Sequence, residues 1–213
     1  DFALSHGAQK FLLTSSGAVY GKQSADLSHI TEDFSGSPDP LDPMQVYGEG
    51  KRAAEMVCAV ATKNFPCEIK IARCFAFVGP HLPLDAHFAI GNFISDAMAG
   101  SPIVIKGDGT PQRSYLYASD LAIWLWTILF KGQSLRPYNV GSDRSLSILE
   151  TAKMVSGQVN PPAAIQVLGT PDPSRPLERY VPDVSRAKSE LALTQIVPLE
   201  QAIQFTMEYC HDL

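Results

Sequence analysis

Tyr47 and Lys51 are four positions apart in a segment whose apolar pattern predicts a helix. Residues with this spacing lie on one face of an α-helix, so the phenol and the ammonium are neighbours. A neighbouring ammonium stabilises a phenolate and lowers the pKa of the phenol from its ordinary value of about 10. The pair therefore predicts a tyrosine that acts as a base near neutral pH.

A group of small polar residues follows a short apolar segment near the start of the chain. Residues 10–14 (Lys-Phe-Leu-Leu-Thr) predict a buried parallel strand, and Ser15, Ser16 and Gly17 come directly after them. Sheets of α/β proteins bind their ligands at the carboxyl ends of strands. A serine-rich turn that only closes the strand is the alternative, but the Tyr47 and Lys51 pair favours a substrate-binding hydroxyl.

The elements that must position these residues predict an α/β fold. A strand at 10–14, a helix at 44–63 and a strand at 68–74 form one strand–helix–strand unit. Further segments predict helices at 88–99, 119–130, 147–159, 184–191 and 199–211, and strands at 103–106, 114–117 and 138–140. Two long irregular stretches, 22–43 and 169–179, predict surface loops. A change of composition near Gly79 predicts a boundary there, with a single domain as the alternative.

Composition excludes several classes of function. The 213 residues carry 17 Lys and Arg against 22 Asp and Glu, and this net charge of −5 without a basic run argues against a nucleic-acid partner. The longest apolar run, 121–130, is about half the roughly 20 residues that a membrane span needs. We therefore expect no nucleic-acid or membrane partner.

Cysteine and histidine usage favours a cytoplasmic protein without a metal. The cysteines form no CxxC pair and predict reduced thiols rather than a disulfide framework; they are Cys58, Cys67, Cys74 and Cys210. His81, Asp85 and His87 lie within seven positions, but a polar loop explains them as well as a metal site does. We predict no metal.

Seven motifs in order resemble the extended short-chain dehydrogenases/reductases that modify nucleotide sugars, such as UDP-galactose 4-epimerase, dTDP-glucose 4,6-dehydratase and UDP-glucuronate decarboxylase. The motifs are 15–21 (Ser-Ser-Gly-Ala-Val-Tyr-Gly), Tyr47 with Lys51, 73–80 (Arg-Cys-Phe-Ala-Phe-Val-Gly-Pro), 107–115, 119–122 (Ser-Asp-Leu-Ala), 138–141 (Tyr-Asn-Val-Gly) and 183–188. The resemblance implies the carboxyl-terminal part of a Rossmann-type parallel sheet plus a small α+β substrate-binding portion. Residues 1–78 would then be a partial Rossmann-like dinucleotide-binding domain, and 79–213 mostly the substrate-binding portion, with elements that return to the sheet.

The resemblance also implies an NAD-dependent nucleotide-sugar epimerase and gives its residues their roles. Tyr47 would remove a hydroxyl proton, Lys51 would support the phenolate and hold the nicotinamide ribose, and Ser16 would bind the reacting oxygen. Phe75 would lie near the nicotinamide of NAD, with NADP not excluded. The substrate, a nucleotide-diphosphate sugar, would be held at its diphosphate by Asn92, Arg113 and one arginine of the 175–179 segment, Arg175 or Arg179.

Departures from the family pattern shape this expectation. Dehydratases and decarboxylases usually carry acidic residues where this chain has Gly17 and Ala18, which favours epimerisation. Gly50 replaces a usual Ser or Thr, and Ala76 replaces an Asn that reaches the substrate, so the sugar identity stays open. A non-catalytic nucleotide-sugar-binding regulator, a 4,6-dehydratase and a simple sugar dehydrogenase of the same fold are the alternatives.

The sequence lacks the glycine-rich strand-to-helix turn that binds a dinucleotide pyrophosphate. Gly48 and Gly50 imitate the pattern, but they follow a proline-rich loop instead of a strand. With a start at Asp1 inside a helix-like segment, this predicts a truncated chain that is inactive by itself and does not retain NAD. The resemblance further implies a homodimer through the helix that carries Tyr47 and Lys51.

Overall fold

A computed structural model describes residues 2–86 and 88–211. The strands are β1 (Lys10–Ser16), β2 (Glu68–Cys74), β3 (Phe77–Val78), β4 (Ile103–Ile105), β5 (Gln112–Arg113), β6 (Leu116–Tyr117), β7 (Pro137–Val140), β8 (Leu146–Ser147), β9 (Ile165–Val167) and β10 (Arg179–Tyr180). The helices are α1 (Phe2–Ser5), α2 (Val46–Ala61), α3 (Ala89–Met98), α4 (Ala118–Lys131), α5 (Ile148–Ser156), α6 (Ser185–Leu191) and α7 (Leu199–His211), and Gly17–Tyr20 and Pro43–Gln45 form 3₁₀ turns.

A parallel sheet in the order β1-β2-β7 is the centre of the fold. Its register places Ser15 opposite Arg73 and Cys74 opposite Val140. Successive side chains of β2 face opposite sides of the sheet, and both sides are covered, so even Lys70 is buried. The Lys70 ammonium donates to the carbonyl of Gly132 at 2.6 Å and to Glu68 at 2.5 Å, which satisfies this buried charge.

Helices cover the two faces of this sheet. On one face α2 packs against β1, and Cys58 of the helix lies in an apolar cluster with Ile69 and Leu13. On the other face α4 packs Trp124 and Ile128 against the sheet. An α/β layer with helices on both faces matches the predicted fold class.

A second core lies among the later elements. Helices α3, α5 and α7 pack together with the parallel pair β4 and β9, and they bury residues such as Phe93, Ile103 and Ile203. The small sheet β10-β5-β8 contacts both regions, because Leu146 of β8 lies in this second core and Tyr180 of β10 packs on Phe75, the residue after β2. These later elements therefore close one side of any ligand site at the carboxyl edge of the central sheet.

Loop 22–43 contacts α6 and the residues just before it. Ile30 pairs with Pro182 in a parallel bridge, and Arg186 of α6 contacts both Glu32 and Asp33. Burial raises the pKa of the Glu32 carboxyl, against the opposing effect of its hydrogen bond from the Asn139 backbone. The loop is thus held in place immediately before α2 begins.

The four cysteines are free thiols. Within 2–86 and 88–211, no helix has both the length and the apolar character to cross a bilayer. The same residues contain no cluster of His, Cys, Asp or Glu that could hold a metal. His87, one of the three candidate ligands, lies outside the described residues.

Candidate active site

Ser16 ends β1 and starts the turn that follows it. Its hydroxyl accepts a hydrogen bond from the backbone N–H of Ala18 at 3.1 Å and caps the 3₁₀ turn Gly17–Tyr20. A serine side chain commonly satisfies free N–H groups at a helix start. The capping bond fixes Ser16 at the carboxyl edge of the sheet, where sheets of this kind bind ligands.

Helix α2 places Tyr47 and Lys51 beside that turn. Asp42 accepts from the Met44 N–H at 3.0 Å and caps the 3₁₀ turn Pro43–Gln45, from which α2 continues. The Lys51 Nζ lies 5.6 Å from the centre of the Tyr47 ring and donates to the Thr14 carbonyl at 2.8 Å. The ammonium therefore links the helix to β1 while it faces the phenol.

Gly48 allows α2 to approach the turn after β1. A Cβ at Gly48 would lie 2.6 Å from the Ala18 carbonyl oxygen, closer than such atoms approach. Gly48 and Gly50 both lie inside α2, and Gly50 has open space around it. They therefore do not form the turn that cradles a pyrophosphate.

A cavity of about 770 Å³ joins the main predicted site residues. Ser16, Tyr47, Phe75 and Arg113 all line it, and the Lys51 ammonium lies near the Tyr47 ring. This volume is within the range of ordinary small-molecule sites. A hydroxyl, a phenol with an adjacent ammonium, an aromatic ring and a guanidinium thus face one space.

Tyr180 also lines this cavity, although the sequence patterns did not identify it. Its ring packs on Phe75 with 4.7 Å between the ring centres. Burial raises the pKa of Tyr180 to about 12, although its hydrogen bond with Ser16 opposes the shift, so this phenol stays neutral. A Cβ at Gly17 would lie 2.7 Å from the Phe75 ring and 2.8 Å from the Tyr180 hydroxyl, so a larger residue there would require these two side chains to shift.

The remaining predicted substrate contacts differ in position. Arg113 lines the cavity and forms an ion pair with Glu178 across β5 and the segment before β10. Asn92 is the fourth residue of α3 and is not among the residues that line the cavity. The structure therefore brings Arg113, but not Asn92, to the space that Tyr47 faces.

Arg175 and Arg179 also lie away from this space. Arg175 borders a separate cavity of about 510 Å³, contacts Asp172 at 3.5 Å and has a largely exposed side chain. Arg179 donates to the Ala25 carbonyl at 2.7 Å. Because side chains alternate along a strand, Arg179 faces away from the cavity when its neighbour Tyr180 faces it.

Cys74 adds a thiol to the cavity lining at the end of β2. Burial raises its pKa to about 11, and the nearby Lys51 charge only partly opposes this. The thiol is therefore neutral at physiological pH. A neutral thiol is a poor nucleophile, so Cys74 serves as lining.

A parallel sheet covered by helices on both faces, with a cavity at the carboxyl ends of its strands, defines a Rossmann-type α/β protein. The chain belongs to the NAD dependent epimerase/dehydratase family, whose sequence model matches residues 1–141. The family predicted from the seven sequence motifs is confirmed.

Characterised relatives and solved structures agree with this family. UDP-glucuronic acid decarboxylase 1 of Danio rerio is 32% identical over 200 residues, which cover 94% of this chain and 47% of that protein. UDP-glucuronic acid 4-epimerase of Bacillus cereus, solved with NAD, is 28% identical with a TM-score of 0.77, over 96% of this chain and 60% of that one.

UDP-glucose 4-epimerase of Thermotoga maritima, solved with UDP-glucose, shares the fold. Its TM-score is 0.84 at 22% identity, over 99% of this chain and 66% of that one. The chain thus spans about half the length of the curated relatives it matches.

Proposed function

We propose that the protein is an NAD-dependent nucleotide-sugar epimerase in which Ser16, Tyr47 and Lys51 act together on one sugar hydroxyl. The observation that carries this proposal is the shared cavity: Ser16 and Tyr47 line it, and Lys51 stands 5.6 Å from the Tyr47 ring. Substrate hydroxyls that enter this cavity meet a hydroxyl donor and a phenol at once. That is the arrangement a proton abstraction needs.

The residues at this site fit the nicotinamide end of NAD. The Phe75 ring offers an apolar surface at the cavity wall, and the Lys51 ammonium has donors beyond the one used by Thr14. When bound, NAD supplies the acceptor for a hydride that leaves the sugar carbon. NADP is not distinguished from NAD by these residues.

The chain's own residues supply the proton chemistry. Tyr47 takes the proton of the sugar hydroxyl, and the Lys51 charge stabilises the phenolate that this requires. Ser16 donates to the reacting oxygen and keeps it beside the phenol. Tyr47 then returns the proton to the carbonyl oxygen, and the configuration would invert because the hydride held by the cofactor would return to the opposite face of the carbonyl carbon.

A nucleotide diphosphate is the second half of the proposed substrate. Arg113 is the positively charged side chain on the cavity wall, and its planar fork of donors suits phosphate oxygens. Diphosphate binding at Arg113 requires its ion pair with Glu178 to open. Asn92, Arg175 and Arg179 remain proposed contacts that would need movement of their loops or side chains.

Gly17 and Ala18 favour epimerisation over elimination or decarboxylation. The relatives include decarboxylases and a dTDP-glucose 4,6-dehydratase as well as epimerases. Position 17 carries no side chain, and a side chain there would have to displace Phe75 and Tyr180, while position 18 carries only a methyl group. Without a carboxylate there, the cavity offers neutral hydroxyls next to Tyr47, which suits a reversible oxidation.

Three further points belong to this proposal. The protein forms a homodimer through α2, which is supported by the exposed apolar residues on that helix. It works in the cytoplasm, which is supported by four free thiols. Residues 1–78 serve the dinucleotide and catalytic side of the site, and most of 79–213 serves the substrate side.

The decisive experiment is Tyr47→Phe in the full-length protein with NAD bound, assayed for interconversion of UDP-linked sugars. We expect turnover to fall by about 10²–10⁴-fold, because the proton acceptor is lost while the ring stays. Tyr209→Phe is the matched control, since Tyr209 bonds His81 outside the cavity. Hydride transfer that survives in Tyr47→Phe would contradict the role of Tyr47 as proton acceptor, and an unchanged protein without any hydride transfer would favour the non-catalytic regulator.

A further inference from the structure

Glu55 lies on the same face of α2 as the proposed catalytic pair. Tyr47, Lys51 and Glu55 are four positions apart in turn, so they follow one another along the helix. The Glu55 side chain is only 14% exposed, although a carboxylate is costly to bury without partners. Its partners therefore show what the burial achieves.

The Glu55 carboxylate joins α2 to two neighbouring strands. Ser15 of β1 donates to Glu55 Oε1 at 2.5 Å. Arg73 of β2 donates through Nε to Oε1 at 3.0 Å and through Nη2 to Oε2 at 2.7 Å. Ser15 and Arg73 are opposite each other in the β1–β2 register, so one carboxylate bridges a cross-strand pair.

These attachments lie directly behind the residues that line the cavity. Ser15 precedes Ser16, and Lys51 donates to the carbonyl of Thr14, one position earlier on β1. Neither Glu55 nor Arg73 lines the cavity itself. Any effect of this pair on the reaction must therefore pass through Ser16, Tyr47 and Lys51.

Arg73 is fixed from its other side. Its guanidinium lies 4.8 Å from the centre of the Tyr20 ring and donates to the Tyr20 hydroxyl at 3.0 Å. Tyr20 in turn donates to Asn139 at 2.8 Å. A cavity of about 550 Å³ borders Glu55 and Arg73. Their ion pair is therefore not held in place by close packing on that side.

We propose that Glu55 and Arg73 are positioning residues that set the separation between Ser16 on β1 and the Tyr47–Lys51 pair on α2. This proposal rests on the proposed epimerase function. A fork of two charge-assisted hydrogen bonds fixes both distance and angle, which a single neutral bond does not. Displacements of about 1 Å between reacting groups cost up to about 100-fold in rate.

The test compares Glu55→Gln with Glu49→Gln in the full-length protein with NAD bound. Glu49 lies on the same helix in a half-exposed pair with Arg52 at 3.9 Å, so its variant removes one charge from α2 without touching the strands. We expect Glu55→Gln to lower kcat by about 10- to 100-fold with KM changed less than about threefold. Glu49→Gln should keep both constants.

A second readout uses the chain without cofactor. Tyrosine rings carrying ¹³C give NMR signals in which Tyr47 is assigned by its absence in Tyr47→Phe. We expect the Tyr47 signal to move in Glu55→Gln and to stay in place in Glu49→Gln. Ser15→Ala removes only one contact to the carboxylate, so we expect it to move the Tyr47 signal less. This variant replaces Glu55→Gln in the test if Glu55→Gln does not fold.

The outcomes separate the two proposals. If Tyr47→Phe keeps its turnover, the epimerase proposal fails, whatever Glu55→Gln does. If Tyr47→Phe is inactive but folded Glu55→Gln matches Glu49→Gln in kcat and in the Tyr47 signal, the positioning proposal is wrong. An unmoved Tyr47 signal in Ser15→Ala, should Glu55→Gln not fold, overturns it as well.

Discussion

Gly48 and Gly50 flank Glu49 at the start of α2, and only their surroundings distinguish them. The space beside Gly48 is filled by the Ala18 carbonyl and the Pro38 ring, whereas a Cβ at Gly50 would meet no atom within 4 Å. Both residues have helical neighbours on each side. An alanine at each position therefore distinguishes the effect of close packing on stability from the effect of helix propensity.

We expect Gly48→Ala to lower the free energy of unfolding by about 1–3 kcal/mol, because the methyl group must displace the turn after β1. Gly50→Ala should raise it by about 0.5–1 kcal/mol, because alanine favours an exposed helix position. Urea denaturation of both variants measures the difference. Equal effects of the two changes would contradict the contact between α2 and the turn.

Side-chain type and spacing grouped Ser16 with Tyr47 and Lys51, whereas Phe75 and Arg113 were predicted only from the family resemblance. The four-residue interval joins Tyr47 to Lys51, and the position of Ser16 at a strand end places it at the carboxyl edge. Tyr180 was not predictable in this way because a two-residue strand, formed only by pairing with β5, turns it inward. The same alternation turns Arg179 outward, away from the predicted diphosphate contact.

Among the elements, those with strong local patterns were predicted best. β2 spans Glu68–Cys74 and α7 spans Leu199–His211, as the sequence predicts, because apolar spacing and flanking residues mark both ends. β1 continues two residues beyond its predicted end because Ser15 and Ser16 still pair with β2. Such an extension depends on a partner strand and leaves no local signal.

Short strands held by distant partners account for most of the differences. Only Leu116–Tyr117 of the predicted strand 114–117 is a strand, because β6 pairs with β3 there, while β5 comes before the predicted range and pairs with β10 and β8. The strands that were not predicted have only two or three residues, too few to show a periodicity, and they are β3, β5, β8, β9 and β10. The predicted helix 147–159 begins after the Ser147 cap but ends at Ser156.

The outer face of α2 carries an apolar stripe that the proposed homodimer would bury. Val46, Met56, Val57 and Val60 are each more than half exposed. Apolar patches of this kind on a helix mark association surfaces. A second stripe on α4 includes Trp126, whose ring stacks on Phe130 at 5.7 Å, and it serves as the comparison.

We expect Val57→Lys to weaken self-association at least about tenfold, because a charge placed in an apolar interface must be desolvated. Trp126→Lys should leave it unchanged. Sedimentation velocity across a range of protein concentrations measures both. A protein that is monomeric at every concentration, or one that only Trp126→Lys dissociates, would contradict the α2 interface.

At the scale of the whole molecule, the chain offers more binding contacts to the proposed nucleotide-sugar substrate than to NAD. The cavity offers Arg113 to a nucleotide sugar and Phe75 to a nicotinamide, but the sequence carries no glycine-rich turn for the NAD pyrophosphate. Pyrophosphate contacts supply much of the affinity for a dinucleotide. The chain by itself should therefore hold NAD weakly.

Calorimetric titration of the chain with NAD, and separately with UDP-glucose, measures this inequality. We expect no saturation by NAD below about 1 mM, a level that corresponds to about −4 kcal/mol of binding free energy, while UDP-glucose binds more tightly. Micromolar NAD binding would contradict the expectation. Failure of both ligands to bind would instead count against the cavity as a nucleotide-sugar site.

Helix α2 has two working faces on one rigid rod. The inner face holds Tyr47, Lys51 and Glu55, and the outer face presents Val57 and Val60 to solvent. Because α2 is one continuous helix, a partner that packs on these valines and shifts the helix would also shift Tyr47. If the proposed homodimer forms through α2, we expect a variant that weakens assembly to change turnover as well.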